Sequence, residues 1–404
     1  MKKCIFWSIL FFTLIQFGQE DKKSKTKFTN FLAKSYYSIN FGGIFYPFSN
    51  DNLQPGYATE TFSRNWFSGR FLLGYKITDN LSAQFGTMRP ASWFKYDNVN
   101  NVGYENSVWI NAWSLSLKND FNINSKTSVY AEAGVANLTR IGFSIDDKVV
   151  YEDAHYASLI YSFGVQYWLS NKWRLTASGT FLPKSDKYNQ PSISQANLGF
   201  EYHLQQVDDK TAEEYATNKY FFPNNILQVS YGNGGIGFGM NEFFSMNMQL
   251  GNFESFGIPV FWLGDVKAQH ALSITYQRLI YRSEKIFSLD WGASATYFQS
   301  RGGENVFAFS IFPVLRFYLL RRNSFDFYTN YSIIGPTYIT QSSIDNFDTG
   351  TNVTYQDTMG FGVFFGKDRK YNFEMRIMHY SNGNIFVNNS GVAVPIQFTF
   401  GKTF

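Results

Sequence analysis

The sequence predicts an all-β transmembrane barrel. Three observations carry that prediction: a composition short of charge and rich in aromatics, segments that alternate with a period of two, and connections that alternate between short and long. Charged residues make up 16% of the 404 and aromatics 20%, with 27 Tyr and 44 Phe. About a quarter of an ordinary soluble domain is charged. Mean hydropathy is nevertheless −0.24. A polytopic helical membrane protein needs several apolar runs of about 20 residues, which are absent here. In a barrel wall, lipid-facing and lumen-facing residues alternate and cancel in the average. The net charge of +4 is small, and no basic stripe with interleaved aromatics points to nucleic acid.

The chain begins MKKCIFWSILFFTLIQFGQ. Lys2 and Lys3 form a basic start, Ile5 to Phe17 an apolar core, and polar residues follow at once. This is the pattern of a secretory signal peptide, too short for a spanning helix. Residues 1–19 are assigned to it, with cleavage expected near Gly18 or Gln19. The only cysteine, Cys4, lies ahead of the apolar core. The exported chain is therefore expected to carry no lipid anchor, disulfide or thiol chemistry.

Alternation then runs along the chain. In Trp173 to Phe181 the odd positions are apolar or small and the even positions polar. In Asn197 to Leu204, Leu198, Phe200, Tyr202 and Leu204 face one way and Asn197, Glu201 and His203 the other. A period of two sends the sets to opposite faces of a strand. About eight such segments fall between Ser35 and Leu204. Asp79-Asn80, Asn122 to Lys126 and Ser170 to Lys172 are short connections, while 48–61, 97–104, 143–154 and 184–192 are longer and polar. That asymmetry is expected when one rim is periplasmic and the other extracellular.

The stretch QQVDDKTAEEYATNK, from Gln205 to Lys219, has no alternation and is assigned to a linker spanning 205–221. About eight further strands follow to Phe404. Their short turns are Ser283 to Lys285, Arg321 to Asn323 and Lys367 to Lys370. Their long connections are about 234–268, 301–305, 341–351 and 382–391. The alternating last segment ends on Phe404, like the assembly signal of bacterial outer-membrane barrels, so the barrel assembly machinery is an expected partner. Two arrangements compete: tandem eight-stranded barrels over 30–204 and 222–404, or one barrel of about 16 strands. The long linker favours two, because a periplasmic turn is usually only a few residues. An eight-stranded barrel is filled by its own side chains, so a porin is disfavoured under that arrangement.

The histidines are His155, His203, His270 and His379, and none is spaced with other ligands as a metal site would be. His379 has distinctive neighbours. Separation by two residues puts it on one strand face with Ser381. The rest of that face, Phe373, Met375 and Ile377, is apolar, and the opposite face, Glu374, Arg376, Met378 and Tyr380, suits a lumen. The pair is thus expected to project outward toward lipid. With both chain ends periplasmic, this strand runs upward and Ser381 lies beside the outer leaflet, which in a Gram-negative outer membrane is lipopolysaccharide. An imidazole beside a hydroxyl is the minimum for nucleophilic acyl transfer.

The run HYSNGNIFVNNSG resembles the active-site segment of the lipid A 3-O-deacylase family, eight-stranded outer-membrane barrels also grouped with acyloxyacyl hydrolases. The resemblance covers about 222–404 and is strongest over the last 35 or so residues. It implies His379 as base, Ser381 as nucleophile, and Asn389 with Asn382 as oxyanion and positioning groups. It also implies lipid A and outer-membrane lipids as partners, and no metal or cofactor. The family's triad acid is a Glu on the last strand. The equivalent position falls near Ala393, and no acid occurs from Ser381 to the C-terminus. Asp357 is the nearest substitute. A turn over Lys367 to Lys370 sets Asp357 opposite Tyr380 and Gln356 opposite Ser381, so Asp357 would need a one-residue bulge. Alternatively a dyad is supported by Gln356 or Asn384, or the enzyme is degenerate. The expected function is an outer-membrane esterase acting on an acyl chain of lipid A. A non-enzymatic structural or adhesive barrel and a porin-like channel are the alternatives.

Overall fold

The computed structural model describes residues 30–63, 66–91, 93–218, 220–245, 249–250, 253–254 and 264–404. The segment assigned to a signal peptide lies outside the described residues. Two compact units divide the chain, each built on a closed eight-stranded antiparallel barrel. The single 16-stranded alternative is thereby set aside.

The first barrel comprises β1 (Ser35–Phe45), β2 (Phe67–Lys76), β3 (Leu81–Pro90), β4 (Glu105–Asn122), β5 (Thr127–Ile141), β6 (Ala154–Trp168), β7 (Trp173–Leu182) and β8 (Ile193–His203). It closes through β1 on β8 and β4 on β5. The buried face of every strand carries polar residues, with apolar ones toward the long-loop rim. Arg70 pairs with Glu132 at 2.6 Å, Lys118 with Glu201 at 2.7 Å and Arg174 with Asp120 at 2.9 Å, all buried. These pairs fill the lumen, which in a barrel of this size has room for side chains only. At the long-loop rim an aromatic cluster including Tyr46, Phe48, Phe94, Tyr96 and Tyr151 packs beneath the loops.

The polar stretch after β8 is not featureless. Asp208 caps a short helix, α1 (Asp209–Thr217), by accepting from the Thr211 amide. The second barrel follows: β9 (Asn225–Asn233), β10 (Val266–Arg282), β11 (Phe287–Ser300), β12 (Asn305–Arg321), β13 (Phe325–Ile339), β14 (Val353–Phe365), β15 (Tyr371–Ser381) and β16 (Val392–Thr403). Its lumen holds the buried Arg316–Asp290 pair. Glu374 there accepts from Tyr328 at 2.9 Å and Asn330 at 2.7 Å.

One feature of the closure sets up the site. β9 stops at Asn233, short of the long-loop rim. Above it, β10 pairs directly with β16 in parallel, Val266 with Val392 and Lys267 with Ala393. The helix between β9 and β10, α2 (Gly239–Ser245), thus stands outside the wall and lies against the outer face of β16. Met240 packs there with Ile377 and Ile396, and the Asn241 amide donates to the Val394 carbonyl at 3.2 Å. No helix among the described residues is long and apolar enough to cross a membrane; the crossing elements are strands.

Candidate active site

His379 and Ser381 end β15 at the long-loop rim, on the outward-facing side of the wall. Lumen-facing Glu374, Arg376, Met378 and Tyr380 are buried on the other side. The expectation that the pair lies open to lipid needs correction. His379 is 2% exposed and Ile377 1%, while Ser381 stays partly accessible. Outward residues of an isolated barrel wall are normally bare, so the chain itself covers this patch. The helix α2, packed on Ile377 and Ile396, supplies part of that cover.

The hairpin register also differs from expectation, in a way that changes the chemistry. Gly366 adopts φ +80° and joins the turn, so Phe365 pairs with Tyr371 and the loop has one more residue than the sequence suggested. Every later pair shifts by one. Asp357 stands directly opposite His379, Gln356 opposite Tyr380 and Tyr355 opposite Ser381. Directly opposed residues share a face, with Cβ atoms about 4.5–5.5 Å apart. No bulge between β14 and β15 is needed to set Asp357 on the same face as His379 and directly across from it. Gln356 is not a partner for the pair: it is fully buried in the lumen, where it accepts from Ser294 at 3.2 Å.

Asp357 is 3% exposed although it lies on the outward face. An irregularity on the next strand explains how it is accommodated. β13 breaks register against β14 between Ser332 and Gly335, and Ile334 within it has φ +56°. That backbone is strained for a β-branched residue. The Ile334 amide, freed from the ladder, donates to Asp357 Oδ1 at 2.8 Å. The carboxylate thus pins the bulge, and the bulge satisfies one of its oxygens. On the other flank of His379 stands Ala393, which the β15–β16 register places directly opposite. This is where the sequence comparison expected a Glu.

The Asn-rich loop after Ser381 is held by its own side chains. The Asn382 amide N–H donates to Asn389 Oδ1 at 2.7 Å, and the Asn389 side-chain amide donates to Asn384 Oδ1 at 3.0 Å. The Asn382 side chain is fully buried and donates to the Asn388 carbonyl at 2.6 Å and the Thr349 carbonyl at 3.0 Å. Asn388 reaches Asp348 at 2.6 Å, so the loop after β15 is tied to the loop before β14. Gly350 has φ +95° at this junction, and a Cβ there would meet the Asn388 carbonyl at 2.5 Å. Asn382 and Asn389 therefore fix the backbone that follows the hydroxyl, and Asn384 serves that loop. Sequence reasoning missed the Ile334 bulge and the outer helix; the Gly335-Pro336 step inside β13 is the one local hint of an irregular strand.

The other histidines have partners of their own. His203 bonds Glu201 at 3.2 Å in the first lumen, His155 bonds Thr139 at 2.8 Å, and His270 bonds Tyr231 at 3.1 Å. Among the described residues no cluster of three or more His, Cys, Asp or Glu is placed to hold a metal ion.

Taken together, the fold defines an outer-membrane β-barrel protein carrying a His–Ser pair at the rim of its second barrel. Residues 264–395 match the lipid A 3-O-deacylase (PagL) family, and residues 46–208 match the OmpA-like transmembrane domain. The chain is similar to the solved structure of the outer-membrane enzyme PagL, at 14% identity over 45% of this chain and 99% of that one (TM-score 0.31). It is similar also to Neisserial surface protein A, at 13% identity over 42% and 97% (TM-score 0.30). A third is Ail of Yersinia pestis, at 15% identity over 42% and 96% (TM-score 0.29). No curated protein sequence matches the chain.

Proposed function

We propose that the second barrel is a serine esterase that removes an ester-linked acyl chain from lipid A at the outer leaflet. The observation that carries this is the placement of Asp357, His379 and Ser381 along two adjacent strands on one face, with Asp357 and His379 directly paired. His379 takes the Ser381 proton as Oγ attacks the ester carbonyl. The imidazolium then protonates the departing sugar oxygen, and water hydrolyses the acyl-Ser381 ester to release the fatty acid. Asp357 orients the imidazole and stabilises its charged form. The Asn389 amide is the oxyanion donor once the substrate oxygen replaces Asn384 as its acceptor, and Asn382 holds the loop in place. An oxyanion donor in a preorganised site is worth about 3–4 kcal/mol of barrier.

Mass spectrometry of lipid A from cells expressing the protein tests this. The wild-type chain should produce lipid A lacking one acyl chain. Ser381→Ala and His379→Asn should leave lipid A intact while assembling normally. Intact lipid A in cells making well-assembled wild-type protein would overturn the proposal.

A further inference from the structure

The eight strands of the first barrel contain six Lys and Arg residues: Arg70, Lys76, Arg89, Lys118, Arg140 and Arg174. Arg70, Lys118, Arg140 and Arg174 are buried on the lumen side. Lys76 is the last residue of β2, at the short-turn rim. Arg89 alone points outward from within a wall strand. Among the described residues it makes no ion pair; its polar contact is a 3.4 Å bond to the Pro90 carbonyl. Its guanidinium lies over the Trp93 ring, 4.5 Å from the centroid, and Trp93 stacks on Trp109 at 4.4 Å with planes 6° apart. The three groups form a sandwich on the lipid-facing surface.

Depth decides what such a cation meets. Arg89 is eight residues along β3 from Leu81, just past the short turn. At about 3.3 Å per residue and a tilt of about 40°, it stands roughly 20 Å above that rim. The apolar band of an outer-membrane barrel is about 25 Å tall, so Arg89 lies in its upper fifth, at the outer leaflet. A cation is costly at the midplane and nearly free at the interface, and Trp side chains favour the headgroup level. The surface around it is polar in one direction only. Phe85, Leu115, Val135 and Leu159 form a cross-strand row of exposed apolar residues below. Four residues further up on β3, Arg89 stands in the polar zone. Thr87 donates to Asn111 at 2.9 Å, Asn111 is paired with Thr139, and Thr139 bonds His155 at 2.8 Å. This polar row climbs away from Arg89 toward the loops, as strand tilt requires.

We propose that Arg89 and Trp93 form a binding site for the phosphate of a phosphorylated glycolipid of the outer leaflet. The guanidinium takes the phosphate oxygens bidentately, with its plane held by the indole. The Asn111, Thr139 and His155 row above it faces the sugar hydroxyls, and the apolar row below faces the acyl chains. A phosphodiester lipid with a small headgroup would use the cation but not the polar row.

The test uses the full chain carrying Ser381→Ala, so that hydrolysis does not consume the probe, in phosphatidylcholine nanodiscs. Retained lipid is counted by native mass spectrometry after adding bis-phosphorylated lipid A, the same lipid A dephosphorylated, or phosphatidylglycerol. The parent should retain phosphorylated lipid A about tenfold over the other two, and Arg89→Gln should erase the difference. Arg89→Lys, which keeps charge without the planar stack, should fall between. Trp93→Ala should lower retention several-fold, and it decides the matter if Arg89→Gln fails to assemble. Equal retention by Arg89→Gln and the parent overturns the site. Equal retention of phosphatidylglycerol overturns the glycolipid assignment. Displacement by millimolar inorganic phosphate assigns the site to a free anion and overturns the lipid.

Discussion

Replacing Asp357 by Asn separates its two roles. The side chain accepts the Ile334 amide at the β13 bulge, and it faces His379 across the β14–β15 ladder. Asn keeps a carbonyl oxygen for Ile334 but removes the negative charge. Losing the carboxylate behind a catalytic imidazole costs up to about 10⁴ in rate when the His tautomer is no longer controlled. Asp357→Asn should therefore slow deacylation by about 10²–10⁴ with the fold intact. Asp357→Ala removes both roles. The Ile334 amide is then left without its acceptor in a buried bulge, which costs about 1–3 kcal/mol. The Ala variant should be as slow as the Asn variant and should also unfold at lower urea. Fatty-acid release from purified lipid A, measured as an initial rate, reads the first effect. Urea titration of the heat-modifiable folded band reads the second. An Asp357→Asn enzyme with the wild-type rate would refute the triad assignment and leave Asp357 as a bulge pin only.

Three further outcomes follow from the same geometry. Adding Ala393→Glu to the Asp357→Asn variant returns a carboxylate to His379 from β16, on the face that Ala393 shares with it. Deacylation should recover at least tenfold over the single variant, and no recovery in a folded double variant would count against the carboxylate's role. Glu132→Gln leaves the buried Arg70 guanidinium without its counter-charge. The first barrel should lose about 3 kcal/mol of unfolding free energy, at the low end of the range for breaking a buried pair. Finally, both lumens are crossed by buried ion pairs, so planar bilayers should show no porin-sized conductance; large stable steps would show that a lumen opens.

The barrel architecture was legible because period-two alternation and loop-length asymmetry are properties of single segments. Trp173 to Phe181 declares its faces without knowledge of any partner strand. The His379–Ser381 pair was legible for the same reason, since two residues two apart on a strand share a face. What the sequence did not show depends on pairing. The partner of His379 is set by whether the turn holds four residues or five, and Gly366 makes it five by adopting a backbone no strand residue could follow. One residue of register moves Gln356 from the outward face to the lumen and sets Asp357 directly across from the histidine. The cover over His379 was illegible too, because nothing in residues 239–245 indicates that β10 will close on β16 above Asn233 and leave them outside the wall.

A histidine inside a sheet has two cross-strand neighbours on its own face, so a triad acid can come from either side without moving the nucleophile or the base. For His379 these neighbours are Ala393 on β16 and Asp357 on β14. The missing acid downstream of Ser381 is therefore weak evidence against catalysis. An outward carboxylate is nonetheless expensive beside lipid unless it is covered and hydrogen-bonded. Two irregularities bear on that demand, one at Ile334 and one where β9 ends. Ile334 takes a left-handed backbone and offers its amide to Asp357. The early end of β9 lets β10 close on β16. There the helix α2 lays Met240 and Asn241 over the neighbouring wall. A barrel with a purely structural role gains nothing from a strained isoleucine serving a buried carboxylate on its outer face. A wall that must hold a polar triad against the outer leaflet requires that kind of support.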